Sequence, residues 1–113
     1  MKFVLNVYEK QKVVKTYEAD SYDLMFGTLE DFVNVIDERL FGDDINDMDF
    51  AKIGLSLLKG SMSQIKPLIM DIFEGLTEEE IRKTKTSELL GVILSIAKYS
   101  FSEIKSISNE KNV

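Results

Sequence analysis

The sequence predicts an α+β domain that is mostly α, with an N-terminal β-hairpin packed on a bundle of four to five helices. Two short N-terminal runs alternate with the period of a half-buried strand, and apolar residues recur at helical spacing through most of the remaining chain. No repeat and no linker rich in Gly, Ser or Pro divides the 113 residues. We therefore predict one domain over residues 1–107 and a polar C-terminal tail over residues 108–113.

Two predicted strands form the hairpin. The first alternates Phe3, Leu5 and Val7 with Val4, Asn6 and Tyr8, and the second covers Val13 to Tyr17. The polar run EKQK between them predicts a loop of about four residues. Because two strands alone are marginally stable in water, we expect one face to lie on a helix. The outer edges are then either solvated or available for strand addition by another chain.

A long amphipathic helix is predicted from Tyr22 to Phe41, with Asp20 or Ser21 as its N-cap. Its apolar stripe comprises Tyr22, Met25, Phe26, Leu29, Phe32, Val33, Ile36 and Leu40. The opposite face is acidic and carries Asp23, Glu30, Asp31, Asp37 and Glu38. Such a face is either solvated or in contact with a basic partner.

The acidic loop at residues 43–49 offers the oxygen ligands that Ca²⁺ prefers. If Asp44 is the first position of an EF-hand loop, Leu55 stands where a bidentate Glu is required. We therefore predict no metal site there. The simpler interpretation is that Asp47 or Asp49 caps the following helix in a solvated loop.

Two further helices are predicted between this loop and Gly75. One runs from Phe50 to about Lys59 and ends at Gly60. The other contains Ile65, Leu68, Ile69, Ile72 and Phe73 at helical spacing. Pro67 must lie in a first turn or at a kink, because inside a helix it loses a hydrogen bond and clashes with the preceding turn. We expect a break near residues 60–66.

The stretch from Leu76 to Ile107 carries the strongest pattern. Thr77 and Glu80 have the spacing of a capping box and predict a short helix, which Thr84, Thr86 and Ser87 interrupt. In the helix that follows, the central apolar line comprises Leu89, Ile93, Ile96, Ala97, Ile104 and Ile107, flanked by Leu90, Leu94 and Phe101 and by Val92 and Tyr99. This face is roughly twice as wide as the ~100° stripe of a surface helix. It needs neighbours on two sides, and another molecule is a candidate for the second.

The composition argues against several classes of function. A net charge of −6 disfavours binding to a nucleic-acid backbone. Without Cys or His, the chain lacks thiolates and the commonest general base and transition-metal ligand. Most carboxylates fall on faces or loops predicted to be solvated. We predict no enzymatic activity and no cofactor, and no membrane span, because no apolar run approaches about 18 residues.

Three stretches follow one another along the chain: KFVLNVYEKQKVVKTYEA, YDLMFGTLEDFVNVIDERLF and LTEEEIRKTKTSELLGVILSIAKYSFSEI. In this order they resemble the small tail assembly chaperones of long-tailed bacteriophages, especially those that infect Gram-positive bacteria. The resemblance extends from about Lys2 to Ile107. It concerns the order of the elements and their pattern of apolar and charged residues, since this family has no invariant catalytic motif.

The resemblance implies a non-enzymatic phage or prophage protein of the bacterial host cytoplasm that is absent from the mature virion. Such chaperones bind the tape measure protein and keep it soluble during tail tube assembly. A frameshift-extended form would involve the major tail protein as well. We also expect self-association, which would hide apolar surface until the client arrives.

The last helix provides the predicted partner contacts. These are Tyr99, Phe101, Ile104 and Ile107, which would pack with a helical client, or else complete the monomer's own core. Two other functions compete with the chaperone hypothesis. One is a structural component such as a head-tail completion protein, and the other is a small hydrolase or metal-dependent enzyme that uses Asp43 to Asp49.

Overall fold

The computed structural model describes residues 1–36, 52 and 54–111. Its elements are β1 (Lys2–Glu9), β2 (Lys12–Asp20), a 3₁₀ turn (Ser21–Asp23), α1 (Phe26–Val35), a π-helical turn (Leu57–Ser61), α2 (Met62–Ile72), α3 (Glu78–Ile81) and α4 (Thr86–Lys111). The predicted class, α+β and mostly α with an N-terminal hairpin, is confirmed. The acidic loop at residues 43–49 and the C-terminal end of the first predicted helix lie outside the described residues.

β1 and β2 pair in antiparallel orientation, with Glu9 opposite Lys12 beside the turn. The turn has only two residues, Lys10 and Gln11, with φ angles of 49° and 69°. The prediction of a loop of about four residues is therefore wrong. Two-residue turns with positive φ match the right-handed twist of the strands. That match prevails here although neither residue is Gly, Asn or Asp.

The inner face of the hairpin closes the hydrophobic core. Phe3, Leu5 and Val7 of β1 are buried, as the alternation predicts, and Tyr17 of β2 is buried beside them. The remaining buried apolar residues come from the helices and their connections: Leu29, Phe32, Ile36, Leu57, Ile65, Leu68, Ile69, Phe73, Leu76, Ile81, Leu89, Leu90, Ile93, Ile96 and Ala97. Each fully buried side chain of this size contributes roughly 1.5–3 kcal/mol. The two-stranded sheet is thereby stabilised by the helices on its inner face.

The chain stays helical across the break predicted near residues 60–66. Leu57–Ser61 forms a π-helical turn in which the Met62 N–H donates to the Leu57 carbonyl, and α2 follows directly. Gly60 therefore does not end the helix. Pro67 lies inside α2 rather than in its first turn. The sequence pattern predicts a break in the helix here, and the structure has the wider π turn instead.

The capping box predicted at the start of α3 is confirmed. Thr77 Oγ1 accepts the Glu80 N–H at 3.1 Å, and Glu80 Oε1 accepts the Thr77 N–H at 3.0 Å. The same carboxylate oxygen accepts the Tyr17 hydroxyl at 2.6 Å, and Lys15 Nζ lies 3.7 Å from the other oxygen. We call these contacts the Glu80 clamp. They lower the pKa of Glu80, and the Tyr17 hydrogen bond is the largest cause.

The wide apolar face of α4 has both of its neighbours within the same chain, because β1 and α1 pack against it. The central line is buried at Leu89, Ile93, Ile96 and Ala97, as predicted. Ser100, which has the spacing of this line but is polar and is not predicted to be buried, is also buried and donates its hydroxyl to the Ile96 carbonyl at 2.7 Å. That back-bond satisfies the hydroxyl within the helix. α4 continues to Lys111, past its predicted end at Ile107.

Replacing Gln11 by Gly should stabilise the protein, because Gly adopts the positive φ of this position without a side-chain clash. We expect the free energy of unfolding to rise by about 1 kcal/mol. Urea denaturation measures this change. The matched control is Gln64→Gly on the exposed surface of α2, where the same substitution should cost about 1 kcal/mol. A loss of stability at both positions would contradict the interpretation that the positive φ of Gln11 strains the turn.

Replacing Glu80 by Gln should lower the free energy of unfolding by about 1–2 kcal/mol at neutral pH, because the charge-assisted bonds of the clamp are weakened. The folded-state pKa of Glu80 is depressed, so its contribution is fully present above the unfolded pKa of about 4.3 and is lost as the pH falls through the folded value. The difference between wild type and variant, measured in urea, should therefore shrink towards about pH 3.

The matched control for the clamp is Glu79→Gln, since the Glu79 side chain is 82% exposed and pairs only loosely with Lys83 at 3.9 Å. This variant should change stability by less than about 0.5 kcal/mol. An effect of Glu80→Gln that stays constant from neutral to acidic pH would show that the ionised carboxylate is not what holds the clamp together.

Candidate protein interaction surface

Three large apolar side chains are open to solvent where β2 leads into α1. Tyr22 is 88% exposed, Met25 75% and Phe26 54%. We call these three residues the apolar rim. The sequence pattern predicts all of them on the buried stripe of a helix that starts at Tyr22, and that prediction is wrong.

The Asp20 side chain explains the difference at Tyr22 and Met25. Asp20 Oδ1 accepts the Tyr22 N–H at 3.0 Å and caps a 3₁₀ turn rather than an α-helix. Leu24 and Met25 then have extended backbone, with ψ angles of 130° and 143°, so that α1 begins only at Phe26. The residues before Phe26 are therefore out of phase with the buried stripe of α1.

An open cleft of about 540 Å³ adjoins the apolar rim. The end of β2, the turn before α1, α1 itself and the C-terminal end of α2 form it. Its lining residues are Glu18, Ala19, Asp20, Asp23, Leu24, Met25, Thr28, Asp71, Ile72 and Glu74. Five of them are carboxylates and none is Lys or Arg, and we call this feature the acidic cleft.

The carboxylates of the acidic cleft are only partly compensated. Glu18 pairs with Lys2 at 3.9 Å, and both side chains are more than half exposed, at 58% and 66%. No ion pair among the described residues involves Asp23, Asp71 or Glu74. The cleft therefore presents net negative charge immediately beside exposed apolar surface.

The Glu80 clamp helps to position the α2 wall of the cleft. The Tyr17 hydroxyl lies 3.2 Å from the Gly75 carbonyl, and the Tyr17 ring packs edge-on against Phe73 with centroids 6.5 Å apart. Gly75 has a φ of 89°, a conformation that suits Gly at the end of a helix. The end of α2, with Asp71 and Glu74, is thereby held close to β2.

The predicted partner contacts on α4 are partly covered by the monomer itself. Tyr99 packs edge-on against Phe3, with ring centroids 6.3 Å apart, and Phe101 packs against the core. Ile104 is partly buried, and the side chain of Ile107 lies outside the described part. Their role as partner contacts stays a prediction. The apolar rim, in contrast, is open without any movement of the fold.

The hairpin also exposes three valines, with Val4 opposite Glu18 and Val13 and Val14 nearer the turn. A register shift near the turn inserts an extra residue into β2, and the Tyr8 N–H donates to the Lys83 carbonyl at 2.8 Å. A bulge and a bonded edge position both discourage regular strand pairing. Strand addition by a partner stays a prediction, and these features make the hairpin edges a weaker candidate than the apolar rim.

Among the residues that the structure describes, three ionisable groups have clearly shifted pKa values, and each shift leads away from neutrality. The neighbouring Glu88 carboxylate raises the pKa of Tyr8, and the contact with Tyr17 raises the pKa of Lys15. The pKa of Glu80 is lowered, as described above. None of these three groups thus gains a pKa suited to proton transfer at neutral pH.

Within the described residues, no group of three or more acidic side chains is arranged to hold a metal ion.

No helix in the described ranges combines the length and the hydropathy needed to cross a membrane. Comparisons of the chain with protein-family models, with curated proteins and with solved structures found no significant match. Function is therefore inferred from the apolar rim, the acidic cleft and the pattern of the sequence.

Proposed function

We propose that this protein is a non-enzymatic tail assembly chaperone of a long-tailed phage or prophage. It binds the tape measure protein and keeps it soluble while the tail tube assembles. The observation that carries the proposal is the apolar rim, because a folded domain rarely leaves neighbouring large apolar side chains open to water unless they bind a partner. The resemblance in sequence pattern supplies the class of partner.

The energetics of the surface support such a role. Burying an apolar side chain of this size contributes roughly 1.5–3 kcal/mol, so three of them supply several kcal/mol before the costs of ordering are subtracted. The net charge of −6 keeps a protein with exposed apolar surface soluble. Both properties suit a protein that holds an aggregation-prone client and later releases it.

The predicted α4 contacts extend this surface in the proposed complex. Tyr99, Phe101, Ile104 and Ile107 would pack with a helix of the client. Self-association would cover the same α4 side chains until the client arrives. A frameshift-extended form would bring the major tail protein to the complex, and the chaperone itself would stay in the host cytoplasm and leave no copy in the mature virion.

Co-expression with the tape measure protein of the same genome tests the proposal. We expect the tape measure protein to be soluble with this chain, to co-purify with it, and to precipitate without it. The measurement is the soluble fraction of the tape measure protein together with its recovery on the tagged chain. Recovery of this chain from purified particles, with no effect on solubility, would instead identify a structural component of the particle.

The role of α4 is tested by Ile104→Glu, which places a charge at a predicted contact. We expect this variant to recover severalfold less tape measure protein, because burying an unpaired carboxylate is unfavourable. The matched control is Ser102→Glu at an exposed position of the same helix, which should recover as much as the wild type. Circular dichroism verifies that both variants remain folded. Equal recovery by both would remove Ile104 from the interface.

A further inference from the structure

The apolar rim and the acidic cleft form one continuous surface. Met25 belongs to both, since it is 75% exposed and also lines the cleft. Tyr22 and Phe26, which are close to it in the chain, are exposed as well. Met25 lines the cleft together with five carboxylates, among which Asp71 and Glu74 have no ion-pair partner in the described part of the chain.

We infer that this surface docks a basic amphipathic helix, with apolar side chains of the helix on the rim and Lys or Arg side chains in the cleft. The tape measure protein is the source of the helix, and this part of the inference rests on the proposed function. The charge complementarity is specific, because the cleft is lined by five carboxylates and by no basic side chain.

The arrangement favours a helix over an extended segment. Successive side chains of a strand point to opposite faces, so alternating apolar and basic residues could not reach the rim and the cleft together. On a helix, neighbouring side chains differ by about 100°. A basic row then lies beside an apolar row, as the cleft lies beside the rim. Long Lys and Arg stems also cover apolar surface while their charged ends reach carboxylates.

Other classes of partner fit this surface less well. A nucleic-acid backbone or an anionic membrane would bring negative charge against the cleft, and like charges repel. A second copy of this chain carries a net charge of −6 itself. Self-docking therefore requires a local basic segment to meet the cleft, and we treat it as an outcome of the test.

Fluorescence anisotropy with two synthetic amphipathic peptides provides the direct test. Both have the same leucine stripe, and one carries Lys where the other carries Glu. We expect the Lys peptide to bind the full chain, to become helical, and to bind more weakly as salt is raised. The Glu peptide should bind at least about tenfold more weakly, which corresponds to about 1.4 kcal/mol. Equal binding of the two peptides would overturn the inference.

Paired substitutions locate the binding site. Asp71→Asn with Glu74→Gln should weaken binding of the Lys peptide about fivefold, since two Coulombic partners are removed from an exposed site. The matched control is Asp31→Asn with Glu30→Gln, which makes the same charge change at exposed positions of α1 outside the cleft. Tyr22→Ser with Met25→Ser tests the apolar rim, because both side chains are largely exposed and their removal takes little packing from the fold. Equal effects of the cleft and control pairs would overturn the location.

The same variants separate the two proposals. If the cleft variant binds the tape measure protein as tightly as the wild type does and both keep it soluble, the docking surface is wrong and the chaperone function stands. If the wild type binds the Lys peptide through the cleft but never the tape measure protein, the function and the source of the helix are wrong and the docking surface stands. Sedimentation velocity reports self-docking, and loss of self-association in the cleft variant would assign the surface to a second copy and overturn the inference.

Discussion

One carboxylate joins the hairpin to the helical part of the fold, beside the apolar side chains that the two share in the core. Glu80 Oε1 accepts the Tyr17 hydroxyl and the Thr77 N–H, while Lys15 lies near the second oxygen. The Glu80 side chain is 22% exposed, so its hydrogen bonds are partly shielded from water without the full desolvation cost of a buried ion. A two-stranded hairpin has little stability alone, and this clamp fixes how it sits on the helices.

The position of the clamp has a consequence for the surface. Tyr17 contacts Phe73 and reaches the Gly75 carbonyl, so the strand that ends at the acidic cleft also holds the end of α2. The two walls of the cleft are therefore fixed by the same side chain. A cleft whose charges are held in place before the partner arrives binds with a smaller ordering cost. In the proposed complex, the hairpin would thus contribute to binding through Tyr17 rather than through its exposed valines.

The sequence predicts the parts of this fold that depend on local spacing. The capping box at Thr77, the strand alternation from Phe3 to Val7 and the buried line of α4 are all confirmed. These features follow from hydrogen bonds over three residues or from the period of an element, and tertiary contacts reinforce them.

The errors arise where two local solutions compete. At Asp20, the same side chain can cap an α-helix or a 3₁₀ turn, and only the position of the preceding strand decides between them. The turn at Lys10 is set by the twist of its strands rather than by turn residues. Ser100 has the spacing of a core residue and is missed because it is polar. The acidic cleft combines residues distant in sequence, so no single segment contains its signal.

The apolar rim and the apolar face of α4 differ in what binding would require of them. Tyr99 already packs on Phe3, so a client that replaces this contact gains only the difference between two packed states. Tyr22 and Met25 are packed against little, and a client that covers them gains the whole of the transfer free energy. The rim is also open in the free protein, whereas α4 must first exchange contacts. A client should therefore contact the apolar rim first. It would contact Tyr99 and the neighbouring α4 side chains only if the complex rearranges.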